Sequence, residues 1–137
     1  MNRGLMRGDD GRLLKKAFLL GAATDAAAVV PMLSDAWAKR LWGFEGTYGK
    51  YRYAMRFGAS LMTGWTFLLL WAARKPVERR AVAPLTLIVV AGLAATEALA
   101  VADGEMDAGK AAQSWALQAA LVTLGTAGFL RARNHEG

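Results

Sequence analysis

The sequence predicts an all-α integral membrane four-helix bundle with both termini on the inner side and a short interfacial helix after the first span. Three observations point there. The 17 Lys and Arg and 11 Asp and Glu gather in a few short intervals, and the segments between them are almost uncharged. Those segments have roughly the ~20 residues a bilayer core asks of a helix. Trp and Tyr collect near their ends, where amphipathic rings suit the headgroup layer. A chain of 137 residues makes one domain, residues 1–137. Mean hydropathy is only +0.22 because the spans use Ala, Gly and Thr heavily.

The strongest single stretch is Phe57 to Ala73, seventeen residues without a formal charge, held between Arg56 and the basic run that begins at Arg74. The elements around it follow in order. Residues 1–16 carry five basic groups, two acids and three glycines, which predicts a mobile or surface-lying arm. A basic start before an apolar run imitates a signal peptide, but Asp25 inside that run argues for a retained span at 16–33. Pro31 falls near its far end, where a kink is tolerated. Residues 34–42 predict an interfacial helix, with Ser34 as its cap, Asp35 and Lys39 four apart, and Trp37, Leu41 and Trp42 on one side. Residues 43–53 alternate glycine with aromatics and read as an irregular loop, with Phe44, Tyr48, Tyr51 and Tyr53 in an aromatic belt.

Span two is placed at 53–73. Its small-residue pairs, Ala54 with Gly58 and Ser60 with Gly64, have the spacing that lets helix backbones approach closely. A basic turn containing Pro76 leads to span three, 82–102, with Pro84 in its first turn. The acidic connection at 103–110 lacks the twelve-residue calcium-loop pattern, so it reads as a solvated turn. Span four is placed at 111–130, and a short tail carries Arg131, Arg133, His135 and Glu136. Eleven of the 17 Lys and Arg fall inside if the N-terminus is inside, which the positive-inside rule prefers.

Composition excludes much chemistry. Zero cysteines remove disulfides, thiolate catalysis and iron–sulfur clusters, and a single histidine removes a bis-histidine haem or a three-histidine zinc site. No cofactor or metal is therefore expected. The net charge of +6 and pI of 10.1 suit topology and anionic headgroups, so nucleic acid is not an expected partner. No nucleophile elbow, Walker loop, dinucleotide fingerprint or metalloprotease helix is present, and no catalytic residue is assigned.

Two carboxylates stand out. An ionised acid in hydrocarbon costs about 2.5–3.5 kcal/mol on insertion scales, so Asp25 and Glu97 each need a partner or a purpose. Antiparallel hairpins place Ser60 or Thr63 level with Asp25, and Gln118 level with Glu97, while Trp65 and Trp115 offer indole donors or faces for a cation. These seven residues are the candidate ligand-binding or proton-relay set. The expectation is a multi-pass protein of the inner cell membrane that binds or carries a small lipophilic or cationic ligand in a cavity lined by the acids. Two alternatives use the same features: a membrane-embedded isomerase or hydratase of a lipid-like substrate, and an accessory or assembly subunit. Expected partners are the lipid bilayer, such a ligand, and a second copy or another membrane protein.

Overall fold

A computed structural model describes residues 3–44 and 49–134, with side chains from residue 11 onward. It contains five helices: α1 (Arg3–Leu33), α2 (Asp35–Trp42), α3 (Gly49–Arg74), α4 (Val82–Ala102) and α5 (Ala108–Asn134). Among the described residues there is no strand.

The N-terminal arm differs from its expectation. Residues 3–16 are the first turns of a continuous 31-residue α1 rather than a mobile arm. Leu, Met, Arg and Lys between the glycines are good helix formers, so isolated glycines each cost about 1 kcal/mol without breaking the helix. The arm also has something to pack on: at Gly11 a side chain would meet Val77 at 3.5 Å and Pro76 at 3.7 Å, in the turn after α3. Similarly, the irregular loop expected over 43–53 is helical from Gly49, because glycine is dense only in its first half. Residues 45–48, including Tyr48 of the expected aromatic belt, lie outside the described residues, as do His135 and Glu136.

Helix α2 forms where expected. Ser34 occupies its N-cap with extended backbone, but its hydroxyl makes no capping bond, and its carbonyl accepts from Ala38 at 2.9 Å. Asp35 reaches Arg52 of α3 at 3.2 Å. The helix stops at Gly43, whose φ of 75° is left-handed and whose N–H donates to the Lys39 carbonyl at 2.9 Å. That conformation is nearly free for glycine and costs other residues about 1–2 kcal/mol. Helix α5 starts earlier than the span expected from 111, since the Asp107 carboxylate accepts from the N–H groups of Gly109 and Lys110 at 2.9 and 3.2 Å.

Side by side, the long helices run in the order α3, α1, α5, α4, with α1 touching both α3 and α5, and α4 touching α5. Close approaches fix antiparallel registers. Gly21 lies against Leu69 and Leu121, Gly58 against Met32, and Gly128 against Leu14. The core gathers at one end, where Leu14, Phe18 and Ala22 meet Leu69, Ala72, Ala73, Val82, Ala83 and Ala132. The short α3–α4 connection forces this convergence. Around the sides large apolar groups face outward: Phe57, Leu61 and Phe67 on α3 and Leu85, Ile88 and Leu99 on α4 are all at least half exposed.

The close-packing pairs on α3 are redistributed. Gly58 does meet α1, but a side chain at Gly64 would touch nothing within 4 Å and Ser60 is exposed. Ala59, Leu69, Ala72 and Ala73 form the packed face of α3, so Ser60 and Gly64 point away from α1. The tightest approach uses Gly128 of α5 instead.

Two stretches, 11–33 and 82–102, are long and apolar enough to cross a membrane. Helices α3 and α5 have the length, at 26 and 27 residues, but not the mean hydropathy. The stretch Phe57–Ala73 is thus less apolar than its lack of charge suggests, diluted by Ser60, Thr63, Gly64, Trp65 and Thr66.

Candidate functional site

Glu97 stands on α4 with its carboxylate turned to α5. There Ser114 sits one turn before Gln118, so both side chains leave the same helical face. The Ser114 hydroxyl donates to Glu97 Oε1 at 2.8 Å, and Gln118 Nε2 donates to the same oxygen at 3.1 Å and to Ser114 Oγ at 3.1 Å. Two acceptors remain. Glu97 Oε2 and Gln118 Oε1 are buried and meet no donor among the described residues. Such atoms are uncommon, because each forfeits its bonds to water without replacement.

Beside this node the α4–α5 seam opens into a groove of about 470 Å³, lined by Leu87, Val90, Ala91, Ala94 and Ala98 from α4 and Trp115, Gln118, Ala119 and Val122 from α5. Small residues on α4 make the room. Apart from Gln118 and the indole of Trp115 the walls are hydrocarbon, and the Trp115 N–H has no acceptor among the described residues. A groove this open and this apolar offers a surface for a hydrocarbon body, with Gln118 and Trp115 as its polar-bearing walls.

The other candidates are placed differently. Asp25 is half-buried on α1, one turn beyond Gly21, and no hydrogen-bond donor meets it among the described residues. The expected partners do not serve it: the Thr63 hydroxyl donates to the Ala59 carbonyl at 2.8 Å, and Ser60 faces outward. A threonine in a helix has an acceptor four residues back within reach, and Thr63 takes it. The Trp65 N–H is also occupied, donating at 3.2 Å to Thr86 Oγ1 and so clipping α3 to α4. Where all four long helices meet there is a cavity of only about 20 Å³, lined by Phe18, Gly21, Leu69, Thr86 and their neighbours, room for no more than a water. Trp115, Gln118 and Glu97 are therefore together, while Asp25, Ser60, Thr63 and Trp65 are not part of that site.

Ser114 is the residue of this hydrogen-bonded node that was not among the candidates read from the sequence. Its signal was its four-residue spacing from Gln118 at the level of Glu97. No cluster of metal-ligating side chains occurs among the described residues. Comparison with protein-family models, with curated proteins and with solved structures finds no match.

Proposed function

We propose that the chain is a small multi-pass protein of the inner cell membrane, with all four long helices spanning and both termini inside, that binds a lipophilic ligand carrying a hydrogen-bond donor in the α4–α5 groove. The low mean hydropathy of α3 and α5 is compatible with spanning because their polar groups are largely satisfied internally. Thr63, Thr66 and Thr123 each donate to the carbonyl four residues back at 2.8 Å, and Ser114 and Gln118 are committed to Glu97. Within lipid it is the unsatisfied polar group that is expensive. The turn after α3, the start of α1 and the end of α5 share one end, and Arg12, Lys15, Lys16, Arg74, Lys75, Arg79, Arg80, Arg131 and Arg133 gather there. That asymmetry supports the inside assignment.

The observation that carries the ligand reading is the orphan acceptor Gln118 Oε1 on a residue that walls an apolar groove, with a second orphan acceptor, Oε2, on the Glu97 carboxylate to which Gln118 is bonded. A primary ammonium or a hydroxyl on an alkyl or ring body would supply the donors and fill the groove. Titration with decylamine and with decyltrimethylammonium, followed by tryptophan fluorescence in one detergent, tests this. The two probes share a charge and a chain, but only the amine has N–H donors. Decylamine should bind about tenfold more tightly, and Glu97→Gln should remove the preference, since a hydrogen bond to a charged group is worth about 1.5–3 kcal/mol. Equal binding of both probes, unchanged in Glu97→Gln, would defeat the reading.

A second reading is favoured by Asp25 and by the outward notch at Ser60 and Gly64. A half-buried carboxylate that meets no donor among the described residues and an open small-residue spacing suit a helix of another membrane protein, with a basic side chain for Asp25. A stable monomer at all detergent ratios would count against it. The catalytic alternative asks the two carboxyls to converge, and Glu97 is already engaged on the α4–α5 seam while Asp25 lines none of the cavities described above.

A further inference from the structure

At the end where α1 runs into α2 and α3 begins, a separate cavity of about 270 Å³, sharing no residue with the α4–α5 groove, is lined by Met32, Leu33, Asp35, Arg52, Met55 and Arg56. Three elements meet there. Arg52 and Arg56 are one turn apart on α3, so their guanidinium groups share a face, and like charges at that spacing repel. Asp35 answers one of them, at 3.2 Å from Arg52. Arg56 meets no acceptor among the described residues. Among the described residues the corner therefore holds two cations and one anion, with one guanidinium and its five donors uncommitted.

We propose that this corner is a binding site for a single oxyanion, a phosphate or carboxylate, held by Arg56 with Arg52 in support. Arginine's planar fork matches both groups and can engage either through two parallel bonds. Asp35 has a double part: it orients Arg52 across the mouth and limits the site to one negative charge. The N-terminus of α2 adds positive potential at the same corner, since Asp35 is its first residue and the Ser34 hydroxyl caps nothing. Met32, Leu33 and Met55 contribute only a small share of the lining, which is mainly polar. The occupant's chemistry is thus that of the oxyanion itself, free or as the headgroup of a lipid whose chains lie outside the cavity.

Thermal unfolding of the detergent-purified chain with added inorganic phosphate, against chloride at matched ionic strength, tests the free anion. Nanodiscs of phosphatidylcholine with and without phosphatidylglycerol test a lipid headgroup. Wild type should be stabilised in at least one arm, and the arm that responds names the source. Arg56→Gln, a change at an exposed position, should weaken apparent affinity about tenfold. Lys50→Gln, a nearby cation outside the cavity, should leave affinity unchanged. Tighter binding in Asp35→Asn would support the competition between Asp35 and the bound anion. The proposal is overturned if neither arm responds, if Arg56→Gln keeps the response, or if Lys50→Gln weakens it as much as Arg56→Gln does, which would mark diffuse charge rather than a site.

Discussion

Replacing Gly128 by alanine would put a methyl group against the backbone of α1. The new Cβ would stand 3.0 Å from both Cα and N of Leu14 and 3.2 Å from its Cβ. Carbon atoms in ordinary contact stay about 3.5–4.0 Å apart, so α1 and α5 would have to separate by roughly 0.5–1 Å. Neither offending atom is the movable tip of a side chain. Overpacking of this kind costs about 1–3 kcal/mol, set against the ~0.8–1.0 kcal/mol that alanine gains over glycine inside a helix. Gly64 supplies the control, because a Cβ there meets nothing within 4 Å and the same helical gain appears undiminished. The propensity terms cancel between the two variants, leaving a gap of about 1–3 kcal/mol. For a chain of this size that is at least about 3 °C in Tm. Thermal unfolding followed by circular dichroism at 222 nm in one detergent should place Gly64→Ala above Gly128→Ala by that margin. If Gly128→Ala melts at or above Gly64→Ala, the close contact of α1 with α5 is wrong.

Other perturbations probe separate joints. Trp65→Phe keeps most of the ring but removes the donor to Thr86, and should lower stability by about 0.5–1.5 kcal/mol in the same melt. Ser114→Ala leaves Glu97 Oε1 with Gln118 alone, and should cost about 1–2 kcal/mol while weakening decylamine binding through a looser carboxylate. Gly43→Ala forces a left-handed conformation on a residue with a side chain and should cost about 1–2 kcal/mol, read as lowered Tm. Tyr51, which precedes the proposed span at 53–73, has its phenol pushed above its ordinary value by burial and then by the negative charge of Asp35. Its stabilisation is complete below the usual phenolic value of about 10 and is lost as pH rises through the higher folded value. Absorbance at 295 nm should therefore show Tyr51 titrating late, with its titration shifted downward in Asp35→Asn.

Much of the architecture was legible because helix boundaries followed local chemistry. Charge at Arg74 and Asp103 bracketed α3 and α4, and helix α4 has the bounds 82–102 that its apolar run predicts. The pairing of Glu97 with Gln118 followed from hairpin register, since the short 103–107 connection leaves little freedom to slip. What was not legible depended on which way a helix faces. Ser60 and Gly64 have a close-packing spacing, yet α3 turns Ala59, Leu69 and Ala72 to its neighbour, and nothing in one helix's own sequence settles that rotation. Thr63 failed as a partner for Asp25 for another reason: its hydroxyl takes the Ala59 carbonyl four residues back, whereas Ser114 reaches across to the next helix, and spacing alone does not tell the two cases apart. The helical start of α1 was hidden by its charge and glycines, which read as an arm until Pro76 and Val77 supply a surface for Gly11. The pairing of α1 with α5 is non-local, joining Leu14 to Gly128, and no periodicity reports it.

The central claim is that Glu97 Oε2 and Gln118 Oε1 are acceptors awaiting a ligand's donor. An experimental structure of the chain with decylamine tests it most directly. The claim predicts the amine nitrogen about 2.7–3.2 Å from both oxygens, with the alkyl chain along Val90, Ala94 and Trp115. An amine bound elsewhere, with Glu97 Oε2 still unpaired beside an empty groove, would contradict it.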